Sequence, residues 1–329
     1  MYAKSHFMRK NLIRSIFTFC ISIGVAGGAN AQLGQSREYV EPPGWSVGMN
    51  FGLLDLWGDV GTKSILDHYN NENFKPHFMG GIFVRYTAHP ALAFRLGVNY
   101  GTLYANDDWN QTKAEKAETL EEDPVQRYIR NLHVKANTWE GSFLFEFNPL
   151  RLNVDSRLAR KRFQPYILAG FSYFHFKPTA EYIDRDGNNR GYVNLHDLRI
   201  EGNGFEGWEE APEEYDLWQM AIPLGVGIKW DLGKQIVFGI EYKYRMTFTD
   251  YLDNVSNKYI PREMHQANLP ADKAALASEM ADRSWLIMGP DYANAYGSDR
   301  GNPSVNDAFS TFGFTVIFKI PNRKTPWWF

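Results

Sequence analysis

The sequence predicts an all-β fold, an eight-stranded antiparallel up-and-down transmembrane β-barrel with long extracellular loops. Three observations predict it. Segments with apolar and polar side chains alternating at period two recur along the chain, each long enough to cross an outer membrane at the usual strand tilt. The connections between them alternate long, short, long, medium, long, short, long, the asymmetry of outer-membrane barrels. The opening residues read as an export signal.

The clearest alternating segment begins at Gln235. Ile236, Phe238, Ile240, Tyr242, Tyr244, Met246 and Phe248 share one face, while Glu241, Lys243, Arg245, Thr247 and Thr249 share the other. In a soluble sheet the apolar face would meet a core. In an outer-membrane barrel lipid takes the apolar face and the lumen takes the charges.

The export signal has a basic start (Lys4, Arg9, Lys10, Arg14), an apolar run from Ile16 to Ala26, and the small-residue site Ala29-Asn30-Ala31. Cleavage there places the mature start at Gln32, after Sec export to the outer membrane. An uncleaved anchor is the competing reading, but the apolar run is short for a span. Cys20, the single cysteine, lies in that run and follows Phe19 rather than the small residue of a lipidation site. The mature chain therefore has neither disulfides nor thiol chemistry. A net charge of −3 marks no nucleic-acid partner. Aromatic residues at 16% suit a barrel whose two interfaces carry aromatic girdles.

The expected organisation is a signal peptide at 1–31, a periplasmic tail at 32–44, the barrel at 45–320 and a periplasmic tail at 321–329. Strands are expected at Trp45–Leu54, Phe78–Ala88, Ala91–Tyr104, Trp139–Phe147, Pro165–Lys177, Trp218–Trp230, Ile236–Thr249 and Phe309–Ile320. The segment Pro165–Lys177 is apolar on both faces, so its facing is not assignable. Pro223 suggests a bulge. Within the loops, Thr112–Glu122 and Ala271–Trp285 have helical character, and the loop Pro178–Asp216 is polar and rich in glycine.

The inferred lumen carries Arg85, Arg95, Glu140, Glu146, Lys229, Glu241, Lys243, Arg245 and Lys319. Eight strands leave an interior that side chains fill, so a paired plug is expected over a narrow ion path. Asp184-Arg185-Asp186-Gly187-Asn188-Asn189 has the oxygen-rich opening of a calcium loop, but Leu195 stands where its closing glutamate belongs, which leaves a polar turn. Ser64, Asp67 and His68 would be the starting point for an outer-face lipid enzyme, although scattered polar loop residues are ordinarily solvated. No enzyme and no cofactor are expected. The most specific local pattern is TFTDYLDNVS, with Thr249, Asp250, Tyr251, Asp253, Asn254 and Ser256 where the strand leaves the membrane; backbone capping is the default role of such residues.

Several separated pieces resemble the PorG-like outer-membrane barrels of Bacteroidota. They are GMNFGLLDLWGDV at Gly48–Val60, Asn148-Pro149-Leu150-Arg151, QPYILAG from Gln164, IPLGVG from Ile222, TFTDYLDNVS, Ala281-Asp282-Arg283-Ser284, Arg300-Gly301-Asn302 and Asp307. Leu56-Trp57 and Asn254 depart from the family pattern. The resemblance implies a non-enzymatic component of the type IX secretion system that sits with a periplasmic ring of PorK- and PorN-like proteins. On that reading the partner surface is periplasmic, and the basic connection with Arg151, Arg157, Arg160, Lys161 and Arg162 is the sizeable turn available. A solvated turn attracted to anionic lipid is its ordinary alternative. A generic structural barrel or narrow pore is the alternative for the whole chain.

Overall fold

A computed structural model of the chain describes residues 41–62, 75–233 and 235–321. The proposed signal peptide, most of both tails, and Ser64, Asp67 and His68 lie outside the described residues. The strands are β1 (Gly44–Trp57), β2 (His77–His89), β3 (Leu92–Asn106), β4 (His133–Phe147), β5 (Phe163–Ile183), β6 (Asn189–Asn194), β7 (Trp218–Asp231), β8 (Ile236–Thr247) and β9 (Ala308–Lys319). Neighbours pair antiparallel in the order β4-β3-β2-β1-β9-β8-β7-β5, and β4 also pairs with β5, which closes an eight-stranded barrel. Closure leaves no edge along the lipid-facing wall. Among the described residues no helix is long and apolar enough to cross a membrane.

The period-two reading holds around the wall. Ile82 and Leu96 point outward at 69% and 65% exposure, whereas Arg85 and Arg95 on the same strands are buried. Such bare aliphatic surface is stable only against lipid. Two bands of outward aromatics border it. One runs through Trp45, Tyr86, Phe94 and Phe145 toward the short-turn end. The other joins Tyr100, Trp139, His175 and Trp218 toward the long loops. Contacts such as Tyr100–Trp139 (4.6 Å) and Trp45–Tyr86 (4.8 Å between centroids) pack neighbouring rings.

The structure resolves the facing of β5. Tyr166, Leu168, Phe174 and Phe176 are buried inward, while Ile167, Phe171 and Tyr173 face out. The inner side is apolar because the upper part of the barrel holds a hydrophobic core. Leu56, Leu103, Val134, Phe174, Phe176 and Phe309 on the strands meet Leu198, Ile200, Leu252, Val255 and Met280 from the loops. The long loops thus form a packed cap, not a solvated fringe.

Several loop expectations change. Part of the segment expected as the loop Pro178–Asp216 is strand, since β5 runs to Ile183 and β6 pairs back onto its outer end as a short ninth strand. Pro223 makes no bulge. The register between β5 and β7 is the same on both sides of it, from Ala169–Leu224 to Ser172–Ala221; only the pairings at the proline, which has no N–H to donate, are missing. Of the helical region expected at Thr112–Glu122 only the single turn Gln111–Ala114 forms, and a separate helix, Asp123–Arg130, follows beyond it with Pro124 in its first turn. The later helix ends at Ala281 instead of Trp285, because Asp282 turns extended and its carboxylate accepts bonds from the Ser284 and Asn294 amides.

Inward glycines make room for the large side chains of the lumen. A Cβ on Gly48 would sit 2.3 Å from the Phe83 ring, and one on Gly227 would sit 2.4 Å from the Tyr166 ring. Gly48→Val should therefore destabilise the barrel by about 1–3 kcal/mol through overpacking. Adding Phe83→Ala should restore part of the loss. The midpoint of urea unfolding, followed by heat-dependent gel mobility, measures both.

Candidate functional site

The lumen is the first place to look for function, and it is filled. Glu146 on β4 is its hub. Arg85 donates to it from Nε (3.0 Å) and Nη2 (2.8 Å), Arg95 from Nε (2.8 Å) and Nη2 (2.6 Å), and Lys229 from Nζ. Arg95 continues to Glu241 at 2.5 Å, which also accepts from the Tyr166 hydroxyl at 2.6 Å. One layer toward the cap, Arg245 grips Glu140 with two donors at 3.1 and 3.0 Å and donates to Thr311 at 2.6 Å. All of these charged groups are buried, and each carboxylate is bound by charge-assisted hydrogen bonds. A cavity beside Glu241, Lys243 and Thr311 measures about 10 Å³, the space of a single water. Paired side chains fill the lumen at these layers.

The short-turn mouth is sealed by residues outside the strands. Glu41, just before β1, is buried and accepts from Arg85 (2.6 Å) and Arg151 (2.9 Å). Arg151 also donates to Asp231 at 2.8 Å, and Lys319 reaches the other oxygen of that carboxylate at 2.6 Å. The connection from β4 to β5 is pinned from inside. Asn148 donates to Gln164 (3.1 Å), and Gln164 donates in turn to the carbonyls of Leu158 (3.0 Å) and Lys161 (2.6 Å). Arg157, Lys161 and Arg162 are left on its exposed side.

At the opposite mouth, acidic side chains tie the loops together through backbone amides. Asp253 accepts from the Val255 amide (2.9 Å) and from the Val60 amide across the mouth (2.8 Å). Asp307 accepts from the Leu252 amide at 2.8 Å, and Asp59 from the Asn302 amide at 2.5 Å. Glu201 takes the amides of Ser256 (3.0 Å) and Asn257 (2.9 Å) and the Arg300 guanidinium (2.6 Å). Arg130 adds bonds to the carbonyls of Asp59 and Arg300, both at 2.6 Å. Asn254 adopts a positive φ of 60°, which asparagine tolerates, and its side chain accepts from the Tyr215 hydroxyl at 2.7 Å. Asp250 differs from these. Its carboxylate oxygens are buried and have no hydrogen-bond partner among the described residues.

Comparison with known proteins gives the family. Residues 18–260 match the outer membrane protein beta-barrel domain. The chain belongs to this family. No curated protein matches it. Among solved structures, this outer-membrane barrel is similar to Ail, the attachment invasion locus protein of Yersinia pestis, at 9% identity over 84% of this chain and 99% of that one (TM-score 0.34). It is also similar to Neisserial surface protein A, at 10% identity over 84% and 97% (0.32), and to OprG of Pseudomonas aeruginosa, at 9% over 84% and 98% (0.33).

The barrel brings some expected site residues together and separates others. Thr249, Asp250, Tyr251, Asp253, Asn254 and Ser256 do form one cluster, and the separated pieces Gly58–Val60, Arg300–Asn302 and Asp307 converge on it. The expected basic surface loses a member. Arg151 is fully buried and spent on Glu41 and Asp231, so it is a structural cation and offers a partner nothing. Asp184 acts as a turn cap, accepting from the amides of Asp186 and Asn188. Sequence reasoning missed Glu41 and Asp231. The signal was available, since the cations assigned to the lumen outnumbered its carboxylates and further anions were required.

Two outcomes follow. Glu146→Gln strips the charge that Arg85, Arg95 and Lys229 share, and should cost about 3–5 kcal/mol of barrel stability in urea unfolding. At the outer mouth, burial and the neighbouring carboxylates push Asp250 up to about 8, and burial beside Asp59 raises Asp253 to about 7. Carboxyls raised on folding stabilise the cap fully below about pH 4, and the contribution is lost as pH rises through 7 to 8. Limited proteolysis of the loops should therefore be faster at pH 8.5 than at pH 5.5, and Asp250→Asn should flatten that dependence.

Proposed function

We propose that this barrel is a non-enzymatic, non-conducting scaffold of the PorG-like kind, which anchors the periplasmic ring of the type IX secretion system at the outer membrane. The observation that carries the scaffold reading is the closed lumen. With the charges from Glu41 to Glu140 paired across the interior, passage of a solute would require breaking several buried ion pairs at once. The working surfaces are then the two ends. The periplasmic end offers exposed Arg157, Lys161 and Arg162 on a connection held rigid by Asn148 and Gln164. Exposed cations on a backbone held in this way suit an acidic partner, because little loop entropy remains to be lost on docking.

The secretion assignment rests on the PorG-like resemblance. It gains support from the way four of the separated pieces of that resemblance, Gly58–Val60, TFTDYLDNVS, Arg300–Asn302 and Asp307, meet at one mouth and hold one another in place. The generic structural barrel shares the same fold and the same plug, and fold alone does not distinguish the two.

The test is affinity purification of the tagged barrel from gently solubilised outer membranes, with mass spectrometry. Recovery of PorK- and PorN-like proteins is expected, with loss when Arg157, Lys161 and Arg162 are changed to glutamine. A barrel recovered alone, from cells that secrete normally without it, would leave the generic structural role. In planar bilayers the purified protein should give no steady conductance at neutral pH, and stable unitary steps would refute the scaffold reading.

A further inference from the structure

A cavity in the outer cap takes no part in the carboxylate network. It measures about 400 Å³ and lies between the β5–β6 turn, the helices Arg262–Asn268 and Ala271–Ala281, and the segment around Trp285 and Tyr296. That volume is in the range of small-molecule sites, roughly 300–1,000 Å³. Its wall combines aromatic rings with planar polar side chains. Arg185 stacks over the Trp285 indole at 4.5 Å and faces Glu279 at 3.8 Å, while the Tyr182 hydroxyl donates to Glu279 at 2.6 Å. The Trp285 Nε1 donor is buried and has no acceptor among the described residues. Tyr292 and Tyr296 stand at the rim with 38% and 63% of their surface exposed.

We propose that this cavity binds a neutral saccharide. A sugar ring presents an apolar C–H face, which suits the Tyr292 and Tyr296 rings, and a girdle of adjacent hydroxyls, which suits the planar Arg185 guanidinium and the carbonyl oxygen of the Asn294 side chain. The charges argue against the other ligand classes. Glu263, Glu279 and Asp282 outnumber Arg185 and Arg262 along the wall, so a phosphate or sulfate is disfavoured. A quaternary ammonium needs open aromatic faces and free carboxylates. Here Arg185 covers the indole, so only the two rim tyrosines offer an open face, and two of the three wall carboxylates are engaged, Glu279 by Tyr182 and Asp282 by Ser284 and Asn294. A lipid chain would need a continuous apolar wall, which these polar groups interrupt.

The experiment uses the full-length barrel in a polyoxyethylene detergent, which carries no sugar headgroup. Retention on an array of neutral, sialylated and sulfated oligosaccharides is followed by fluorescence titration with the best neutral glycan, and with choline as a cationic probe. Retention of neutral glycans is expected, weakened at least tenfold by Trp285→Ala and by Tyr296→Ala. Tyr296 is exposed, so its variant keeps the cap folded and separates ligand contact from stability. Retention of charged glycans only, comparable binding of choline, no retention at all, or unchanged affinity in both variants would overturn the proposal.

Discussion

The structure depends on the pairing of Glu146 with Arg85, Arg95 and Lys229. An eight-stranded barrel has an interior only wide enough for side chains, so inward charges cannot stay hydrated and must find each other. The network therefore fixes more than its own layer. It sets which residues can be large, since Arg95 lies between the rings of Phe83 (4.9 Å) and Tyr166 (5.4 Å), and these rings in turn require the glycines at 48 and 227. It also extends to the chain beyond the strands. Glu41 is drawn in to balance Arg85 and Arg151, which ties the segment before β1 and the connection after β4 to the same interior.

The two ends are closed by different physics. Toward the short turns the seal is ionic, from Glu41, Arg151, Asp231 and Lys319. Toward the long loops the barrel interior turns apolar, and the loops bury Leu252, Val255 and Met280 against Phe174, Phe176 and Phe309. Above that core the carboxylates of Asp59, Asp253, Asp307 and Glu201 hold loop backbone amides that would otherwise be buried without partners. Loops organised in this way present a fixed surface, as the cavity beside Trp285 requires.

Much of this was legible in the sequence, because period two reports facing directly wherever the two faces differ in polarity. The inward set from Arg85 to Lys319 could be read for that reason. The method fails where the environment is apolar on both sides. Phe174 and Phe176 face a loop-built core while Phe171 and Tyr173 face lipid, so β5 gives no contrast to read. Arg151 shows a second limit. Proximity in sequence groups it with Arg157 and Lys161, yet the 3-10 turn at Pro149–Arg151 sends it inward to Glu41, 110 positions away. The TFTDYLDNVS cluster could be located, but not its partners, since Val60, Glu201 and Asp307 meet it only through loop folding.

The same constraint bears on where function can reside. The charges of the lumen are paired with one another, and any mutation that removes one partner leaves a buried charge uncompensated. Selection for stability accounts for the plug without reference to any task. The exposed cations of the connection between β4 and β5 and the aromatic rim of the cavity among the long loops are different, because neither is required by the barrel. Arg157, Lys161 and Arg162 could be replaced without disturbing Gln164, which holds their backbone through carbonyls alone. Tyr296 could be lost without uncovering the core. Residues that the fold does not need, set on backbone that the fold holds still, are free to answer to selection for something other than stability.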